Sequence, residues 1–177
     1  MASAARLRKQ LVLKPYSKKT NSALIKLKKF DIQLAYLALL TLEKIKPLSR
    51  YEKPLDNEQI NLLFDVGLNV KRINRKVKTL ENITQTIFST SSSHIDMYTN
   101  LFAGTFIDKT PQTLLREGFL FGYPPCCVFQ YIKKQYVKNK LEPEDQKILF
   151  HWACPNCSIT STLIADYKRV HKYIENL

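Results

Sequence analysis

Between Phe30 and Ile45 the chain places Phe30, Ile32, Leu34, Ala35, Tyr36, Leu37, Leu39, Leu40, Leu42 and Ile45 around nearly the whole circumference of one helix. A helix apolar on every side cannot rest on a surface. The rest of the chain must wrap it, and Pro47 marks where it stops. Its most apolar stretch, Leu34 to Leu42, falls far short of the ~20 residues that cross a bilayer, so a buried central helix is expected rather than a membrane span. With 177 residues, 45% of them hydrophobic, there is enough apolar material to enclose it without disulfides. Only four residues are glycine, and the long apolar stretches are broken by proline rather than by glycine-rich turns, which predicts an all-α fold.

Three segments follow from the patterning. Residues 1–21 form a basic arm ending in the cap-forming cluster Ser17 to Ser22. Residues 22–92 form a helical subdomain, and residues 93–177 form a second helical subdomain that holds the cysteines. In the first subdomain, Asp56 or Asn57 caps a helix carrying Ile60, Leu62, Leu63 and Phe64 that ends near Gly67. Residues 70–80 fit helical spacing through Val70, Ile73, Val77 and Leu80, with a strand as the alternative because Val and Ile also favour extended backbone. If helical, Lys71, Arg72, Arg75, Lys76 and Lys78 cover its remaining surface. The serines and threonines around Ser89 to Ser93 separate the subdomains, and a helical segment from about His94 to Phe106 follows. So few glycines leave no Rossmann fingerprint and no phosphate-binding loop.

All four cysteines lie between positions 126 and 157, in two pairs, each beside proline at an expected helix start. Pro124 and Pro125 precede Cys126 and Cys127, after which Val128, Ile132 and Tyr136 repeat at helical spacing. Cys154-Pro155-Asn156-Cys157 precedes the stripe Ile159, Leu163, Tyr167, Val170, Ile174 and Leu177. Free amides and the positive end of the dipole favour the thiolate at a helix N-terminus, the form that ligates metal or attacks a disulfide. The expectation is therefore one metal site made of Cys126, Cys127, Cys154 and Cys157, with His151 as an alternative ligand. Cys-Pro-x-Cys suits a tetrahedral zinc knuckle. Adjacent cysteines on a helix point about 100° apart, however, which suits separate corners of a cube, so a [4Fe-4S] cluster is favoured over zinc.

The pattern Gly122-Tyr123-Pro124-Pro125-Cys126-Cys127 with His151-x-x-Cys154 and a further Cys157 resembles domain of unknown function 483, over roughly the last 60 residues. In that family the final cysteine often stands one residue further on, which makes Cys157 the least secure ligand to carry over. The resemblance implies a grouping of these residues and no reaction. The vicinal pair followed by CxxC also resembles the cluster ligands of plant-type adenylylsulfate reductases, although this chain lacks their pyrophosphate-binding loop.

A net charge of +13 is spread unevenly, with no acid before Asp31, so Arg6, Arg8, Lys9, Lys18 and Lys19, together with Lys133, Lys134 and Lys138, are expected to contact phosphates. The function expected is a Cys-ligated metal-binding protein that contacts nucleic acid or a nucleoprotein complex. The alternatives are an iron-sulfur enzyme in nucleic-acid or sulfur chemistry and a dithiol redox protein exchanging between the two cysteine pairs. A glutaredoxin-like site, with Ile148 to Trp152 as the preceding strand, conflicts with the 20 residues that follow Cys157. No export signal is visible and the cysteines suit a reducing compartment, so a cytoplasmic location is expected, with organellar import through the basic start as the lesser alternative.

Overall fold

The computed structural model describes residues 16–78 and 82–177. Eight helices and three strands follow in the order α1 (Lys18–Phe30), α2 (Ile32–Leu42), β1 (Ser49–Tyr51), α3 (Asn57–Val66), β2 (Asn69–Arg75), β3 (Ile83–Ser89), α4 (Ser92–Phe102), α5 (Pro111–Leu120), α6 (Pro125–Lys133), α7 (Pro143–Lys147) and α8 (Ser158–Glu175). The fold is mixed α and β, which corrects the all-α expectation. The strands form an antiparallel sheet in the order β1-β3-β2. Glycine scarcity misled because a hairpin needs Gly or Asn-Gly only when its turn is two residues long. β2 ends at Arg75 and β3 begins at Ile83, too far apart in sequence for a two-residue turn, and β3 is rich in β-branched residues, with Ile83, Thr84, Thr86 and Ile87.

The sheet is the middle layer, and its period-2 alternation sends neighbouring side chains to opposite cores. Phe88 of β3 and Tyr51 of β1 join Leu34, Leu37 and Leu39 of α2, Leu24 and Leu27 of α1, and Tyr167, Val170 and Ile174 of α8. Ile87 and Ile73 face the other way, into a cluster with Ile95, Tyr98 and Phe102 of α4 and Leu120 of α5. This second cluster draws on both sides of residue 92. Helix α2 is buried over Leu34–Thr41 without a break, as its apolar circumference demands. Asp31 separates it from α1: its backbone is extended, and its carboxylate accepts from Gln33 N at 2.7 Å, so one residue ends α1 and caps α2. Asp56 caps α3 through a reciprocal capping box with Gln59, and Gly67 closes that helix at φ 105°.

The α5–α6 hairpin carries the first cysteine pair and depends on two glycines. A Cβ at Gly118 would lie 2.6 Å from Val128 Cγ2, so the two helices approach through the missing side chain. Gly122 turns the chain at φ 72° and abuts Pro47, where a Cβ would lie 2.5 Å from the proline Cδ.

Candidate metal centre

Two helix starts meet at the centre. Pro125 takes the first position of α6, with Cys126 and Cys127 next, and Cys127 N donates to Pro124 O at 2.9 Å. On the other side Cys154-Pro155-Asn156-Cys157 makes a turn closed by Cys157 N to Cys154 O at 3.3 Å, and Cys157 is the N-cap of α8. The four Sγ atoms lie within 4.8 Å of one another, close enough to hold a metal ion. Cys126 and Cys157 bring their sulfurs to 3.5 Å. All four are free thiols; Cys127 and Cys157 are buried and Cys126 is exposed.

Donors are aimed at the sulfurs. Cys154 N–H points to Cys127 Sγ at 3.3 Å, Thr160 N–H to Cys157 Sγ at 3.2 Å, and the Thr160 hydroxyl to Cys157 Sγ at 3.1 Å. Burial opposes ionisation of Cys157, but the Thr160 hydroxyl and amide, with the neighbouring thiols, bring its pKa down to about 7. Burial and the adjoining Cys157 and Cys154 push Cys126 up to about 11, and burial raises Cys127 as well. The thiolate preference expected at the helix starts is met at Cys157, whereas Cys126 and Cys127 shift the opposite way. A cation would replace the protons of Cys126 and Cys127.

His151 is not among the converging ligands. It is buried, its Nε2 lies 2.9 Å from Thr160 Oγ1, and burial followed by the charge of Lys46 lowers its pKa to about 4. The imidazole is therefore neutral and supports Thr160, which supports Cys157. Thr160, Asn139 and Gln146 carry no motif in the sequence. Asn139 Nδ2 donates to Ala153 O at 3.2 Å and to Gln146 Oε1 at 2.9 Å, and Gln146 Nε2 donates to His151 O at 2.8 Å, so the two amides fix the segment leading to Cys154. Residues 148–153 make no strand.

Helix α6 ends at Lys133, short of the Tyr136 that its spacing suggests. Lys134 is extended and Tyr136 has φ 54°, while Val137 O accepts the Trp152 indole N–H at 2.7 Å, so tertiary contacts redirect the chain. Lys133, Lys134 and Lys138 are exposed and make no ion pair among the described residues. Lys18 and Lys19 lie in α1, where Lys19 pairs with Asp65 at 2.8 Å. Arg6, Arg8 and Lys9 fall outside the described residues. Arg75, read as part of a basic surface, is 1% exposed and shares Glu117 with Arg50.

Among the described residues no helix is long and apolar enough to cross a membrane. No family model matches the chain, and neither a curated protein nor a solved structure does so.

Proposed function

We propose that the four cysteines hold one tetrahedral zinc ion that fastens the start of α6 to the start of α8, in a protein that binds single-stranded nucleic acid. The carrying observation is the spacing of the sulfurs. Four thiolates on one zinc at about 2.3 Å sit ~3.8 Å apart, which agrees with a set confined within 4.8 Å. A cubane bonds each thiolate to a different iron and so spreads the sulfurs further apart. Neighbouring cysteines can therefore serve one ion, because the second helix start approaches from the side. With four thiolates and no position left for water, the centre is structural.

The nucleic-acid reading is supported by what surrounds the centre. From Phe129 to Lys140 the chain alternates exposed rings, Phe129 at 54% and Tyr136 at 64%, with Lys133, Lys134, Lys138 and Lys140, all exposed and without ion pairs among the described residues. Rings that stack on bases beside cations that meet phosphates are what a single strand requires.

Metal and sulfide analysis of the purified chain, with cobalt substitution, tests the first part: one ion per chain, no inorganic sulfide and the absorption of tetrahedral cobalt thiolate are expected. Stoichiometric iron with sulfide would refute it. For the second part, affinity for a single-stranded RNA should fall linearly in log–log with salt. Replacing Lys133, Lys134, Lys138 and Lys140 by Gln should reduce that slope by about 0.7 for each phosphate that is no longer neutralised. Salt-insensitive or absent binding overturns it.

A further inference from the structure

Beside the cysteine centre lies a cavity of about 840 Å³, whose walls include Cys127 and six aromatic side chains: Phe121, Tyr123, Tyr131, Tyr136, Phe150 and Trp152. The space is a half-open cleft whose size lies within the range of ligand pockets, and its apolar, aromatic walls suit a small flat ligand. We propose that it takes a nucleobase, with the attached phosphate outside against Lys138.

Three independent features converge on that chemistry. The first is strain at the mouth. Tyr136 is a bulky residue held at φ 54°, a region such side chains rarely enter, although it is 64% exposed and gains little burial in return. What the conformation does achieve is a ring placed edge-on to Trp152, with centroids 5.4 Å apart at 85°, and edge-on to Tyr131, at 5.5 Å and 87°. Flat faces at several orientations suit a flat, π-rich guest.

The second feature is a lone acceptor. His151 lines the cavity at 9% exposure, and its Nδ1 has no hydrogen-bond partner among the described residues. The single Thr160 hydroxyl proton is directed to Cys157 Sγ, so Thr160 Oγ1 accepts from His151 Nε2–H. Nδ1 is then left with a bare lone pair. Nδ1 itself is buried, so it accepts an N–H from the edge of a base only as the lining side chains shift to admit the guest, and it repels a phosphate or carboxylate oxygen.

The third feature is charge. Lys138 and Lys147 line the cavity and are exposed; Lys147 is engaged by Glu144 at 2.7 Å, whereas Lys138 has no ion pair among the described residues. A phosphate outside the mouth meets that cation without being buried. On the wall of the same cavity Arg50 is already neutralised by Glu117, so no anion is required there.

The inference rests on the proposed nucleic-acid reading only for the source of the base, which is a free nucleotide or one residue of a strand. Trp152 is the sole tryptophan of the chain and lines the cavity, so its fluorescence reports occupancy directly. AMP is expected to quench it saturably, ribose 5-phosphate not at all, and N6,N6-dimethyl-AMP, which cannot donate to Nδ1, at least 10-fold more weakly than AMP. Tyr136→Gly should weaken AMP at least 10-fold without lowering the melting temperature, since glycine accepts the positive φ. An oligoadenylate binding at least 10-fold tighter than AMP identifies the strand as the source, and equal affinity identifies the free nucleotide. Quenching by ribose 5-phosphate equal to that by AMP, no quenching by any of these ligands, or unchanged affinity in Tyr136→Gly overturns the proposal. Salt-dependent RNA binding with a silent Trp152 removes the cavity proposal alone; an AMP response without RNA binding removes only the strand.

Discussion

Replacing Gly118 by alanine tests how the α5–α6 hairpin sets the metal centre. The new Cβ would stand 2.6 Å from Val128 Cγ2 and 3.2 Å from its Cγ1, below the 3.0 Å that real Cβ atoms respect in the first case. Val128 is 8% exposed and cannot rotate into solvent, so α6 must back away by several tenths of an ångström. Overpacking of this kind costs ~1–3 kcal/mol, and alanine in a helix interior recovers ~1 kcal/mol relative to glycine. The expected net loss is about 1 kcal/mol, a fall of ~2–4 °C in melting temperature for a chain of this size. Val128 follows Cys127 directly, so the same displacement moves Cys126 and Cys127 away from Cys154 and Cys157, and metal sites tolerate only about 0.2 Å in ligand distance. Gly118→Ala should therefore weaken zinc in a chelator competition although no ligand is altered. Val128→Ala removes the obstacle, and the double variant should be more stable than the two single losses predict by ~1 kcal/mol. A strictly additive cycle, or a Gly118→Ala protein as stable as the parent with unchanged zinc affinity, would refute the reasoning.

Thr160→Val deprives Cys157 of its hydroxyl donor and His151 Nε2 of its partner, so the Cys157 pKa should rise and zinc affinity should fall ~10–100-fold, measured by thiol alkylation against pH and by chelator competition. Lys46 is 2% exposed, bonds to Phe121 O at 3.1 Å and lies 4.6 Å from the Tyr123 ring centroid; burial, then Arg50, lowers its pKa to about 7. The unfolded chain then binds the extra proton between about pH 7 and the ordinary lysine value, so this residue makes stability rise with pH across that window, by at most about 5 kcal/mol. Lys46→Met should flatten that rise and stabilise the protein at pH 7, as denaturant unfolding at several pH values would reveal.

Helix α2, the caps at Asp56 and Gly67 and the meeting of the two cysteine pairs were legible because each depends on local spacing or on residues whose chemistry is singular. The sheet was not. Strand β1 is three residues long, and β3 is buried continuously from Gln85 to Ser89 because it is the middle strand of a middle layer, so no alternation of polar and apolar residues marks it. Arg75 reads as a surface cation because Glu117, which it shares with Arg50, is distant in the chain. Thr160 and His151 lie close to Cys157 in the chain, yet no motif marks their relay, which forms when the turn through Cys154–Cys157 returns the imidazole to the start of α8.

The enclosure of α2 also imposes an order on synthesis. The Tyr36 hydroxyl shares its one proton between Ile148 O at 3.1 Å and Tyr167 O at 3.3 Å, and α8 supplies the layer that covers this side of the helix. On the ribosome α2 emerges more than a hundred residues ahead of α8, roughly 10 s at ordinary elongation rates, and for that interval the face that α8 covers lacks this partner. A chain cut before α8 would leave that apolar surface of α2 uncovered and is expected to aggregate.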